Sequence, residues 1–136
     1  MEQVCFELII PLKAEYVSIA RLTVSGVANR AGFDFEAIED IKVALAEVCN
    51  RLICKQSAQK TKPVDTNCKM QFILTERDLT INFFVDQSKE WDFFGTDDTQ
   101  DEFSKIGLSL LNLLMDEFRE KRDEHCVISM RKYLGE

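Results

Sequence analysis

The stretch FEAIEDIKVALAEVCNRLI, residues 35–53, constrains the fold of this chain more than any other. Ile38, Ile41, Leu45, Val48 and Leu52 recur at spacings of three, four, three and four, which draws one buried stripe along an α-helix. Asp34 stands immediately before the run, where a short carboxylate can accept from the first free N–H groups of the helix. Glu47 flanks the stripe, and Arg51 follows it by one turn on the same face. Two readings of Glu47 stand side by side here, a catalytic base and one half of an ion pair.

A chain of 136 residues is expected to form a single domain over residues 1–136, with a core that needs neither metal nor disulfide staples. Its 46% hydrophobic and 30% charged residues are those of a water-soluble globular protein. A net charge of −7 argues against direct nucleic-acid binding and opposes a polyanionic ligand unless Mg²⁺ or a local basic pocket intervenes. No apolar run approaches the roughly 20 residues of a membrane span, and no charged-then-apolar leader opens the chain. The expectation is a cytoplasmic protein with no membrane partner. Cys5, Cys49, Cys54, Cys68 and Cys126 form no C-x-x-C pair, and His125 is the single histidine. This set predicts buried, reduced thiols and no metal site.

Along the chain, Val4, Phe6, Leu8 and Ile10 alternate with Cys5, Glu7 and Ile9 up to Pro11, a strand over 3–10. Val17, Ala20, Leu22 or Val24, and Val27 then recur at helical spacing as far as the stop signal Gly32. After the 35–53 helix, the polar segment up to Lys69 carries Pro63 and no periodicity, a loop. Residues 69–74 and 79–86 alternate about a short polar turn at 76–78, which predicts a hairpin. Residues 86–102 hold seven acids against one lysine, with Trp91, Phe93 and Phe94 among them, an acidic loop pinned by aromatics. A third helix is expected over about 103–119, with Ile106, Leu110, Leu113 and Leu114 inward, and CVISMRKYL at 126–134 closes the sheet. The order βααββαβ predicts an α+β fold, a two-layer sandwich of three helices on an antiparallel-rich sheet.

PLKAEYVSIARLTVSGVANRAGFDFEAIEDIKVALAEVCN, together with GLSLLNLLMDEF and VISMRKYL, resembles bacterial anti-sigma factors that double as serine-protein kinases, of the stress-response sigma-B type. These belong to the GHKL ATPase superfamily (Bergerat, histidine-kinase-like ATPase fold). The resemblance is dense over residues 11–50 and 107–134 and implies an ATP and Mg²⁺ site built from four elements. Glu47 matches the family's catalytic glutamate, but Arg51 stands where an asparagine should ligate Mg²⁺, and Asn50 is one residue early, roughly 100° around the helix. Asp86 matches the adenine-binding aspartate of an Asp-x-Gly motif whose glycine is here Ser88. Of the glycine-rich phosphate lead-in, Ser104, Lys105, Ile106 and Gly107 keep the last glycine alone, and Val127 replaces a threonine beside adenine. The acidic 86–102 loop lies where the lid over ATP belongs.

These departures predict that magnesium-dependent ATP binding is lost and that no cofactor is used. Glu47, Asp86 and Gly107 are then remnants of the site. The resemblance further implies a homodimer formed through the first helix and a protein partner, a sigma factor or a STAS-domain anti-anti-sigma protein. Arg21 matches an arginine of the family's partner-binding face. The competing class is an enzyme, an ATP-dependent kinase that phosphorylates a serine of the antagonist.

Overall fold

We describe the protein from a computed structural model that covers residues 3–57, 66–85, 102–123 and 126–135, excluding the side chains at 55–57, 102–106, 122–123 and 126–127. The acidic segment with Asp86, Ser88, Trp91, Phe93 and Phe94 lies outside these residues, as do the side chains of Lys105 and Val127. Strand β1 (Val4–Pro11) leads through a 3₁₀ turn (Ala14–Tyr16) into α1 (Val17–Ala31) and α2 (Phe35–Ser57). Strands β2 (Asn67–Leu74) and β3 (Asp78–Val85), helix α3 (Glu102–Leu114) and strands β4 (Glu117–Asp123) and β5 (Cys126–Tyr133) follow. The five strands form one antiparallel sheet in the order β1-β2-β3-β5-β4, and the three helices pack on it as a second layer, the α+β sandwich expected from the sequence.

Local chemistry sets the boundaries. Helix α1 ends where Gly32 takes φ 100, a left-handed conformation that glycine adopts without a Cβ penalty. The Phe33 N–H then reaches back to the Ala28 carbonyl at 3.2 Å, and the Phe33 ring turns into the core. One residue later Asp34 caps α2, its Oδ1 accepting from the Ala37 N–H at 2.8 Å. With so short a connection α1 and α2 must pack as neighbours. In the β2–β3 turn the Thr75 hydroxyl donates to Asp78 Oδ1 at 2.7 Å and accepts from the N–H groups of Arg77 and Asp78. That closes the hairpin without a glycine.

The core is where the α2 stripe meets the sheet. Ile41, Leu45, Val48 and Leu52 are fully buried, and so are the inward rows Cys68, Met70 and Phe72 of β2 and Leu79, Ile81, Phe83 and Val85 of β3. In α1 the buried residues are Val17, Ala20, Val24, Val27 and Ala28, so Val24 is the inward choice and Leu22 is 74% exposed.

Two expectations are corrected. The third helix stops at Leu114, and residues 117–123 form the strand β4, so the order is βααββαββ. Beyond Leu114 the Asp116 N–H donates to the Arg131 carbonyl at 3.0 Å, and the chain pairs with β5. The strand β5 is therefore interior, and β4 is the edge. The sequence EFREKRD shows no apolar alternation because an edge strand is protected by charge on both faces. Within α3 the inward phase is also different. Leu111 and Met115 are buried, Leu110 and Leu114 are half-buried, and Leu113 is 80% exposed. The run LSLLNLL carries leucines on every side, so periodicity alone did not fix its phase.

Among the described residues no helix is long and apolar enough to cross a membrane. The phase of α3 gives a direct test by chemical denaturation. Leu111→Ala is expected to cost about 2–5 kcal/mol, as for a buried leucine, and Leu113→Ala no more than about 0.5 kcal/mol.

Candidate functional site

On α2 the Glu47 and Arg51 side chains meet. Arg51 Nε donates to Glu47 Oε2 at 2.8 Å, and the two side chains are 27% and 12% exposed respectively. The i, i+4 spacing with the acid first is the favourable order on a helix, and a guanidinium donating to a carboxylate makes a charge-assisted bond. Of the two readings of Glu47, the ion pair is the geometry found.

The third member comes from a different element. Gly107, buried on α3, lies directly against the pair: a Cβ built on it falls 1.8 Å from Arg51 Nη2, 2.7 Å from Arg51 Cζ and 2.7 Å from Glu47 Oε2. A side chain at 107 would require the ends of the Arg51 and Glu47 side chains to move aside. The structure thus gathers Glu47, Arg51 and Gly107 in one place between α2 and α3. It sets Arg21 on the exposed face of α1, and Asp86 falls outside the described residues.

The donor set is ill suited to a divalent cation. A guanidinium has five N–H donors and no lone pair to offer a metal, and Glu47 Oε2 already accepts from Nε. At Gly107 the space a side chain would occupy is taken by Nη2. The Mg²⁺ that the fold family implies does not fit this pair of residues.

A second tie between the layers was not read from the sequence. Lys132 sits on β5 opposite Leu79, at an inward register position. Its Nζ donates to the Leu114 carbonyl at 2.5 Å, at the C-terminus of α3, and lies 3.7 Å from Asp40 Oδ2 on α2. A cation at a helix C-terminus satisfies a carbonyl that has no intrahelical partner and matches the helix dipole. The signal was present as a lysine at an inward position of an alternating strand.

The outer face of the sheet carries an open cleft of about 260 Å³, lined by Glu117, Arg119, Lys121, Ser129, Met130 and Arg131. Arg131 is fixed there by Thr80 Oγ1 at 3.1 Å, the Tyr133 hydroxyl at 3.4 Å and the carboxylates of Asp78 and Glu117 at 3.7 and 3.6 Å. Its charge is thereby answered by two acids of the protein itself.

The described cysteines divide into two groups, which corrects the expectation that all are buried; the Cys126 side chain lies outside the described residues. Cys49 and Cys68 are buried, whereas Cys5 and Cys54 are exposed. Cys5 lies on the edge strand β1, and Cys54 lies five residues beyond Cys49, on a different side of α2. Burial pushes the Cys49 thiol from 9.0 to about 12. Burial also raises Cys68, with the neighbouring Cys49 adding to the shift and a backbone hydrogen bond from Phe84 opposing it. Below pH 9 the folded and unfolded chains both keep the Cys49 proton, so this thiol makes stability no more pH-dependent there. Between 9.0 and about 12 the unfolded chain releases a proton that the folded chain retains, so stability falls as pH rises. Cys49→Ala is expected to make the alkaline loss of stability shallower, measured by urea denaturation from pH 8 upward.

With the geometry in place, comparison with known proteins gives the family. The histidine kinase-like ATPase domain model matches residues 10–132. The serine-protein kinase RsbW of Halalkalibacterium halodurans is 33% identical over 133 residues, covering 94% of this chain and 82% of that protein. The serine-protein kinase RsbW of Bacillus pumilus is 36% identical over 141 residues, covering 95% of this chain and 85% of its own length. For the same protein of Bacillus thuringiensis the identity is 37% over 139 residues, with 94% and 84% covered. A model spanning most of the chain, and relatives at this identity along most of their length, agree with the resemblance read over 11–50 and 107–134. The chain belongs to the histidine kinase-like ATPase domain family and is an RsbW-type member of it.

Proposed function

We propose that the chain is a cytoplasmic anti-sigma regulator that acts by protein–protein binding, sequestering a sigma factor or docking a STAS-domain anti-anti-sigma protein, and that it does so without consuming ATP. The observation that carries this reading is the Glu47–Arg51 pair. At the position where the family places a metal ligand stands a guanidinium, 2.8 Å from the carboxylate that would activate the nucleophile. With that carboxylate engaged and no lone pair at position 51, the site is poor in what phosphoryl transfer requires, a positioned metal and a base. Binding chemistry remains.

A second reading, an active serine-protein kinase, is favoured by the presence of Glu47 itself and by the relatives, which are named as serine-protein kinases. One experiment separates the two. The purified chain is incubated with a STAS-domain protein and a sigma factor, with and without ATP and Mg²⁺, and complexes and phosphoserine are measured. The binding reading expects a complex in the absence of nucleotide, no phosphoserine, and no saturable ATP·Mg²⁺ binding below about 1 mM, which corresponds to roughly −4 kcal/mol. Phosphoserine formed only with ATP and Mg²⁺ would establish the kinase instead.

Homodimerisation through the first helix is part of the proposal, and burial narrows the surface that α1 can offer. Val17, Ala20, Val24 and Val27 are spent on the core, which leaves Ile19 and Leu22 as the exposed apolar residues of α1. The edge strand β1 adds Val4, Phe6 and Ile9, the last 60% exposed. This edge lacks the dense charge of β4, and an apolar unpaired edge invites association. Arg21 lies one residue from Leu22, where an arginine can anchor a partner. A dimer by light scattering is expected, with Arg21→Glu weakening capture of the sigma factor by at least tenfold. A strictly monomeric chain whose partner binding ignores Arg21→Glu would remove this part of the proposal.

A further inference from the structure

Helix α3 (Glu102–Leu114) is tied to α2 at two points by cations that belong to the protein. Midway along it Arg51, held by Glu47, has Nη2 seated against Gly107. At its C-terminus Lys132 reaches the Leu114 carbonyl and Asp40. Positions 40 and 51 on α2 correspond to 114 and 107 on α3, so the two helices run antiparallel with a cationic tie at each of the two points. Between these ties Leu111 is fully buried.

A divalent cation at this point would meet a guanidinium, which has no lone pair to offer, in place of a ligand. The geometry points to Arg51 as the cation's replacement: its guanidinium closes the α2–α3 junction from within, so the docked position of α3 is set by the chain and is independent of nucleotide. This rests on the binding reading above and extends it, because any partner that reads the position of α3 then finds it in place without ligand. It also reassigns Gly107. Taken alone, this glycine is a remnant of a phosphate cradle, yet here its missing Cβ is the seat of a guanidinium. Gly107 acts as a positioning residue for Arg51.

The coupling between 51 and 107 is open to a double-mutant cycle, since residues in direct contact fail to add. Gly107→Ala in the native chain is expected to lower the thermal midpoint, because the new methyl collides with Nη2. In an Arg51→Ala background the same substitution is expected to cost clearly less, because the guanidinium is gone, alanine is the better helix former, and the approach to Glu47 Oε2 at 2.7 Å is what is left to relieve. Should Arg51→Ala not fold, Arg51→Met retains much of the volume without the charge and carries the same cycle. Amide exchange over residues 107–114 supplies a readout that a generic packing role does not share. It is expected to be unchanged when ATP and Mg²⁺ are added to the native chain, and at least tenfold faster in Arg51→Ala. A midpoint lowered equally by Gly107→Ala in both backgrounds would overturn the inference. So would new protection of 107–114 on adding ATP and Mg²⁺. Partner capture plays no part in these measurements, so a chain that binds no sigma factor yet shows this coupling would sink the proposed function and leave the junction intact.

Discussion

Burial of one helical stripe against the alternating rows of the sheet is the interaction on which the remaining structure depends. Ile41, Leu45, Val48 and Leu52 of α2 have no accessible surface, and each such side chain contributes about 1.5–3 kcal/mol relative to exposure. Their partners across the layer come from β2, β3 and β5, which must therefore lie side by side in the middle of the sheet. Once α2 is seated, its length and direction are fixed. The short turn at Gly32 and Asp34 then lays α1 beside it, and the other flank is left for α3. The polar chemistry at the Glu47 end exists because the same helix that fills the core also presents its flank to α3.

Charge within the helical layer is arranged to be satisfied locally. Arg51 answers Glu47, and Lys132 answers Asp40 together with the open carbonyl at the end of α3. A partly buried cation without such partners would be costly; with them, it specifies how two elements sit together. On the outer face Arg131 is treated in the same way by Asp78 and Glu117. This economy matters in a chain of net charge −7, where most acids remain in water and the few enclosed cations each carry a structural task.

How much of this was legible depends on whether a feature is periodic. The α2 stripe, the Asp34 cap, the Gly32 stop and the β2–β3 hairpin follow from spacing and local chemistry, and the structure matches them. Strand β4 does not announce itself, because EFREKRD is an edge whose charges suppress the alternation that would identify it. Leu111, Met115 and Phe118 stand at spacings of four and three, a helical pattern that continues past the point where the chain turns into a strand. The inward face of α3 was misphased because leucines surround the helix and only neighbouring elements choose among them. At the site, the Glu47–Arg51 pair was readable as an i, i+4 spacing within one helix. Its seat on Gly107 was not, since that contact joins residues 56 positions apart through tertiary packing.

The same distinction bears on what a surviving motif residue means. Gly107, taken by itself, looks like a trace of phosphate binding because glycine lets backbone N–H groups approach a ligand. In the folded chain the missing Cβ has another use, to admit Nη2 of an arginine from the facing helix. Arginine at 51 and glycine at 107 are therefore coupled: a side chain at 107 would push the guanidinium aside, and a shorter residue at 51 would leave Glu47 facing Gly107 without the hydrogen bond from Nε. Fold membership rests on the buried stripe and the sheet, whereas function rests on which atoms converge at the site, so a retained motif residue does not by itself carry the family's chemistry. In this chain the atoms that converge there include a carboxylate and a guanidinium hydrogen-bonded to one another.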